Sequence, residues 1–197
     1  MPARVPSGNL VREGTTTRSR TEEDIVFDAP GPERPDGHRL LHWPIGYSPD
    51  FSDLWAVGET DIDAQPEAVF GHLADLCSWA RDVTRIDDGP TADAEPPGLR
   101  TDSEFAYRLD GLEVRARVGE CSPGSRLAWF AQGTDLGLYQ EWLLLARTGR
   151  TLVLLGFAAR GPAAIAHREA DPACARRIVE GWLTAVEARA SRGGGKG

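Results

Sequence analysis

The chain has 197 residues, of which 41% are hydrophobic and 26% charged, an ordinary composition for a globular protein with one sizeable core. Its formal net charge of -8 argues against a nucleic-acid binder, because no basic stripe is present to neutralise phosphates. No apolar run approaches the roughly 20 residues that a membrane-spanning helix needs, and the start lacks the apolar segment of a secretory signal. Cys77, Cys121 and Cys174 are widely spaced and odd in number, so we expect free thiols and a cytoplasmic location.

The first 50 residues differ from the rest of the chain. They are rich in Thr, Pro, Gly and Arg and bury little apolar surface, so we expect residues 1–50 to be a largely disordered N-terminal extension. The last part of this extension carries Leu41 and Trp43, which predicts that it packs on the domain, as a strap in preference to a lid. Residues 51–191 are the predicted domain, and residues 192–197 are a flexible tail.

The domain is predicted to open with a strand and two short helices. Residues 54–63 alternate between apolar and polar side chains, as a half-buried strand does. Pro66 then opens a helix, because proline suits a first helical turn, and the buried stripe of this helix is Val69, Phe70 and Leu73. A second short helix over residues 76–83 and a short strand over residues 84–87 follow.

A run of strands follows next. The turn Asp110-Gly111 predicts a hairpin, because both residue types tolerate positive φ. The last two strands are apolar on both faces, which predicts burial on both sides or one side that lines a cavity. The predicted strands cover residues 101–109, 112–118, 126–132, 136–147 and 151–160.

An amphipathic helix closes the domain. It begins near Pro162 or after Pro172, and proline predicts a break between its halves. Apolar residues recur at helical spacing beyond the break, among them Ile178, Val179, Trp182, Ala185 and Val186. An antiparallel sheet held to one such helix must curve around it, and this predicts an α+β fold with an internal apolar cavity.

The order of these elements resembles a known superfamily. The stretches ETDIDAQPEAVFGHLADLCSWARDV, LEVRARVGECSPGSRLAWFAQG and LYQEWLLLARTGRTLVLLGFAARGP are similar to the START-like, helix-grip (SRPBCC) superfamily, in particular its bacterial polyketide cyclase/dehydratase and lipid-transport branch. Many relatives carry a histidine and a tryptophan, two positions apart, on the strand that matches residues 136–147. Here that pair is Gln140 and Trp142, so a histidine base at that position is absent.

Tyr107 and Gln140 are the candidate catalytic residues. The period-two alternation of strands directs Tyr107, Trp129, Gln140 and Trp142 toward the expected cavity. A buried phenol donates a hydrogen bond to a carbonyl or enolate oxygen, although Tyr107 also fits a plain core position. A buried amide must be hydrogen-bonded to protein, water or ligand, and for Gln140 these alternatives stay open.

Further side chains are expected to bind the ligand. The tryptophans offer flat walls for an aromatic molecule, but they also fit an ordinary core. Asp82 suits a base or an anchor for a cation at the cavity mouth, or a solvated helix position. His167 suits acid–base work, but its segment favours a surface histidine. The candidate ligand-binding residues are Trp79, Asp82, Ser103, Phe105, Trp129, Trp142 and Trp182.

Two functions stay open, with a slight preference for the first. One is a cofactor-independent, cyclase/dehydratase-like enzyme for an aromatic or polyketide-type molecule, which the cavity would hold close to its reacting atoms. The other is a non-catalytic carrier or sensor of a small hydrophobic ligand. We expect no metal and no nucleotide cofactor, since no glycine-rich phosphate loop, HExxH pattern or zinc-ligand spacing occurs. The oligomeric state stays open, a homodimer included, and so does a partner-binding role of the extension.

Overall fold

The computed structural model of the chain describes residues 39–80, 83–85 and 98–193, with backbone only for residues 78–79, 83–85 and 192–193. The predicted disorder before residue 39, the loop between residues 86 and 97 and the tail after residue 193 lie outside this description. Within the described part, no helix is both long and apolar enough to cross a membrane.

The described strands form a single antiparallel sheet in the order β1-β7-β6-β5-β4-β3-β2. Four helices accompany it, two after the first strand and two at the end, which confirms the predicted α+β class. The strands are β1 Leu54–Ile62, β2 Val83–Arg85, β3 Glu104–Leu109, β4 Leu112–Ser122, β5 Arg126–Gly133, β6 Leu136–Arg147 and β7 Arg150–Arg160. The helices are α1 Pro66–Ala74, α2 Leu76–Trp79, α3 Pro162–Ala170 and α4 Cys174–Gly193.

Local sequence explains where these elements begin and end. Asp110 and Gly111 have φ values of 47° and 88°, so the β3–β4 hairpin turns at the predicted dipeptide. The helix expected over residues 76–83 is shorter than predicted: Ala80 is already extended, and Val83 begins β2. The closing helix does break before Pro172, because α3 ends at Ala170 and α4 begins at Cys174.

The inner face of the sheet packs against α4, and the contact is closest at β1. A Cβ atom added to Gly58 would lie 2.6 Å from Val179 Cγ1 and 2.8 Å from Leu183 Cδ1. Only a residue without a side chain therefore lets the helix approach this strand. Val186, one helical turn beyond Leu183, is fully buried in the same core. This contact positions α4 over the inner face of the sheet.

Residues 39–53 pack on the outer face of the sheet, on the side away from α4, and we call this segment the strap. Leu41 packs with Leu143 and Leu154, whose side chains alternate away from the inner core. Tyr47 packs with Tyr139 and Ala158 in a second outer cluster. These contacts place the described end of the extension across the back of β6 and β7.

A buried ion pair lies beneath the strap and was not anticipated from the sequence. The side chain of Glu141 is 0% exposed and pairs with the guanidinium of Arg126. The carboxylate also accepts hydrogen bonds from the Tyr139 hydroxyl over 3.0 Å and from the backbone N–H of His42 over 2.8 Å. Burial is the main cause that raises the pKa of Tyr139, so its hydroxyl remains a donor at neutral pH. Glu141 thereby connects the strap to the sheet.

Replacing Glu141 by glutamine should destabilise the fold, by less than the about 3–5 kcal/mol that a fully uncompensated buried charge costs. The guanidinium of Arg126 then keeps only the partly exposed carboxylate of Glu120, 3.4 Å from its Nε, as a counter-charge. The double variant Arg126→Met, Glu141→Met should recover most of this loss, since it removes both buried charges. Urea unfolding of the two variants and the wild type measures the difference. A single variant as stable as the wild type would show that the pair is not needed.

Replacing Gly58 by alanine should lower the free energy of unfolding by about 1–3 kcal/mol, because the new methyl group overlaps Val179 and Leu183. Gly71 in α1 is the matched control, since a Cβ there meets nothing within 4 Å. Gly71→Ala should raise stability by about 0.5–1 kcal/mol, the difference between the two residues in a helix. Thermal unfolding compares them, and equal effects of the two substitutions would contradict the close contact at Gly58.

Candidate functional site

The candidate site lies on the inner face of the sheet, where a polar side chain sits among apolar ones. In the sheet register, Gln140 on β6 lies between Trp129 on β5 and Phe157 on β7. Its side chain is 0% exposed, and neither Oε1 nor Nε2 has a hydrogen-bond partner. An unpartnered buried amide costs about 1–3 kcal/mol, and native proteins rarely tolerate one. Gln140 therefore offers a free donor and a free acceptor inside the core.

Trp142 adds a second free donor on the same face of β6. It follows Gln140 by two residues, so the alternation of the strand points both side chains inward. Its indole Nε1 is buried and has no partner. The ring of Trp142 meets that of Trp182 on α4 edge to face, with centroids 6.3 Å apart. The free polar atoms of the site thus lie on β6, under the closing helix.

Tyr107 also lies on the inner face, on β3. Trp129 Nε1 donates a hydrogen bond to the Tyr107 hydroxyl oxygen over 3.3 Å. Complete burial raises the pKa of Tyr107 because the phenolate would lose its hydration, and this outweighs the opposite effect of the Trp129 hydrogen bond. The phenol therefore stays protonated at neutral pH. Since its oxygen accepts from Trp129, its own hydrogen is left to donate.

Aromatic rings surround these groups, and we call the five of them the aromatic cluster: Phe105, Tyr107, Trp129, Trp142 and Trp182. Phe105 stacks on Tyr107 with centroids 5.7 Å apart and meets Trp129 edge to face at 5.3 Å. Tyr107 in turn meets Trp182 edge to face at 6.1 Å. Edge-to-face pairs contribute beyond their buried area and hold the rings at fixed angles. Together with Gln140, they give an apolar environment that bears a few fixed polar atoms.

The structure brings together most of the residues expected at the site, but not all. Ser103 is buried, yet its hydroxyl oxygen already accepts a hydrogen bond from the backbone N–H of Arg100 over 3.0 Å. This bond ties Ser103 to the turn that precedes β3. The side chain of Trp79 and the whole of Asp82 lie outside the described residues. Ligand contact by these three residues stays a prediction.

A small cavity of about 20 Å³ lies at one end of the inner face, and we call it the end pocket. It is enclosed mainly by hydrocarbon side chains, including Leu109, Phe157 and Ile178. His167 of α3 and Asp110 of the β3–β4 turn also line it. The sequence favoured a surface position for His167, but its side chain is only 29% exposed. The folded hairpin covers it, and spacing along the helix alone could not show that.

The described residues contain no group of three or more His, Cys, Asp or Glu side chains that could hold a metal ion. None of the three cysteines forms a disulfide, and Cys174 is buried at the start of α4. Burial is the main cause that raises the pKa of Cys174, which keeps its thiol protonated at neutral pH.

Comparison with known proteins gives a likeness at the level of structure. No protein-family model matches the sequence. No curated protein matches it either. Solved structures do match, among them a hypothetical protein from Helicobacter pylori at 21% identity and a TM-score of 0.64, covering 76% of this chain and 95% of that chain.

Two further matches come from proteins with more informative names. A START superfamily protein from Mycobacterium smegmatis matches at 13% identity and a TM-score of 0.50, covering 70% of this chain and 97% of that one. The Zhui aromatase/cyclase from a Streptomyces species matches at 15% identity and a TM-score of 0.50, covering 71% of this chain and 94% of that one. At such identities the likeness establishes the fold alone. The chain thus has the START-like, helix-grip fold that the sequence predicted.

Proposed function

We propose that this protein binds a neutral, hydrophobic small molecule on the inner face of the sheet, against the aromatic cluster, and that it catalyses a cofactor-independent cyclisation or dehydration of that molecule. The observation that carries the proposal is the buried, unpartnered amide of Gln140 beside the unpartnered indole N–H of Trp142. A ligand that carries both a carbonyl and a hydroxyl group would satisfy these atoms. Without a ligand these polar atoms are buried and unpaired, which lowers the stability of the folded protein. A ligand that forms hydrogen bonds with them removes this cost when it binds.

The polar groups of the site select a neutral ligand. An amide, an indole N–H and a protonated phenol carry no charge, and a buried ion without a counter-charge would be strongly disfavoured among the surrounding rings. The rings favour a planar aromatic or polyene molecule that stacks on them. An aromatic or polyketide-type molecule with carbonyl and hydroxyl groups meets both requirements. The aromatase/cyclase among the structural neighbours supports this class of ligand.

The proposed catalysis rests on position and on hydrogen bonding. The cluster and α4 hold a flexible chain folded, so that its reacting atoms stay close, and such proximity contributes several kcal/mol, with an upper range of about 7–11 kcal/mol. The Tyr107 hydroxyl donates to a ligand oxygen and stabilises the negative charge that develops there as an enolate forms. Gln140 orients the same molecule through its donor and its acceptor. Exclusion of water protects the reactive intermediate from side reactions.

The second candidate function is a carrier or sensor of the same ligand class. One observation favours it: among the described residues, neither Gln140, Trp142 nor Tyr107 takes up a proton near neutral pH. A site that has hydrogen-bond donors and acceptors but no base can bind a ligand without starting a reaction of it. Native mass spectrometry of the protein from its own host, followed by incubation of the purified protein with the extracted molecule, separates turnover from carriage.

Replacing Gln140 by leucine should change ligand binding and stability in opposite directions. It removes the unpaired amide, so the ligand-free protein should become more stable by about 1–3 kcal/mol. It also removes a donor and an acceptor, so the affinity for naphthol, a neutral aromatic probe with a hydroxyl group, should fall by about ten- to a hundredfold. Calorimetric titration and urea unfolding measure the two effects.

The control for this experiment is Gln132→Leu, which makes the same chemical change at an exposed position of β5. Gln132→Leu should change neither the affinity for naphthol nor the free energy of unfolding appreciably. If Gln140→Leu destabilises the ligand-free protein, the amide has a structural partner and the binding proposal loses its support. The same conclusion holds if both leucine variants bind naphthol as the wild type does.

A further inference from the structure

We propose that His167 is a catalytic residue of this site, the base that removes a proton from the bound molecule, and that Asp110 is the positioning residue for its imidazole. This inference rests on the proposed function and deepens it, since Gln140, Trp142 and Tyr107 supply no base. Its basis is the placement of an imidazole–carboxylate pair in the wall of the end pocket.

The residues that line the end pocket neighbour the candidate site along two strands. On β3, Leu109 lines the pocket and lies two residues beyond Tyr107 on the same face, a step of about 7 Å. On β7, Phe157 lines the pocket and is the register partner of Gln140. A molecule held by Tyr107 and Gln140 therefore has one end next to the pocket that His167 closes.

The groups around His167 orient its imidazole. Its Nδ1 lies 3.5 Å from Asp110 Oδ2, which leaves the second ring nitrogen, Nε2, for exchange with a ligand. Arg177 of α4 lies 3.2 Å from the same Asp110 oxygen and also pairs with Asp171. Arg177 thus helps to hold the Asp110 carboxylate in place, and Asp110 in turn orients the imidazole.

The other titratable and charged groups nearby are otherwise engaged. On α3 itself, Arg168 donates a hydrogen bond to the backbone oxygen of Asp53 over 2.6 Å. The Cys174 thiol at the start of α4 is buried beside Asp171 and Arg177. Because His167 is partly exposed, it can also return its proton to solvent between turnovers. The arrangement follows the base-plus-orienting-carboxylate pattern that general-base catalysis uses.

The proposed step conserves atoms and electrons. His167 Nε2 takes a proton from a carbon next to a carbonyl group, and the C–H electron pair forms the double bond of an enolate, whose oxygen accepts a hydrogen bond from Tyr107. In a dehydration, the enolate electron pair then expels a hydroxyl group from the neighbouring carbon. The imidazolium gives its proton to that leaving group, so water is released and His167 is regenerated. In a cyclisation, the enolate carbon attacks a second carbonyl carbon, and the same proton goes to the alkoxide formed.

The test uses nitrobenzisoxazole, a neutral aromatic probe that reports a base in an apolar pocket. When a base removes its acidic C–H proton, the C–H pair becomes part of a nitrile bond, the N–O bond breaks, and the nitrophenolate product absorbs visible light. We expect the wild type to accelerate this ring opening beyond free imidazole at equal concentration.

His167→Gln should lower the rate by at least about tenfold, because general-base catalysis ordinarily contributes 10²–10⁴-fold. Asp110→Asn keeps a residue type that tolerates the positive φ at this turn position. It should lower kcat with little change in KM, because the amide oxygen can still orient the imidazole but carries no charge. The matched control is His42→Gln, which removes an exposed imidazole on the opposite face of the sheet and should leave the rate unchanged.

Three results would overturn the proposal: a wild type no faster than free imidazole, a His167→Gln variant within twofold of the wild type, or an equal loss in His42→Gln. Circular dichroism of each variant shows that it is folded. Naphthol binding, measured on the same samples, keeps this proposal distinct from the proposed function. If naphthol binds normally but the rate does not depend on His167, only the assignment of the base is wrong. If naphthol binding does not depend on Gln140, the ligand site itself is wrong.

Discussion

The packing of α4 across the inner face of the curved sheet is the constraint on which the rest of the molecule depends. Gly58 allows this packing, because any side chain there would overlap Val179 and Leu183. Once the helix lies on the sheet, the inward side chains of the strands are cut off from water, whatever their polarity. Gln140 lies on this covered face and is fully buried.

The buried polar side chains on the two faces of β6 have different hydrogen-bonding environments. Glu141 faces outward beneath the strap, where it pairs with Arg126 and accepts hydrogen bonds from Tyr139 and the backbone of His42. Gln140, its neighbour in the chain, faces inward and has no partner for either side-chain atom. The buried charge on the outer face thus holds the strap, whereas the amide on the inner face is available to a ligand.

The sequence predicted the fold well because each element carried its own local signal. The alternation in β3 and β4, the Asp110-Gly111 turn and the proline before α4 are properties of neighbouring residues, and all are confirmed. The pairing of Glu141 with Arg126 and the covering of His167 by the β3–β4 turn depend on contacts between distant segments. Periodicity along one strand or helix contains no information about these contacts. Periodicity predicts that the side chain of Gln140 points inward, but it cannot show that the amide has no protein partner.

The most direct test of the central claim is a nuclear magnetic resonance titration that follows the side-chain amide of Gln140 and the indole N–H of Trp142, assigned by their absence in the corresponding variants. The account predicts that the molecule extracted from the native protein shifts both signals downfield at the same ligand concentration, because both donors gain an acceptor. Signals of Gln140 and Trp142 that stay unmoved while the ligand binds would contradict it. The ligand would then occupy another part of the protein, and the unpaired amide would have no role in binding.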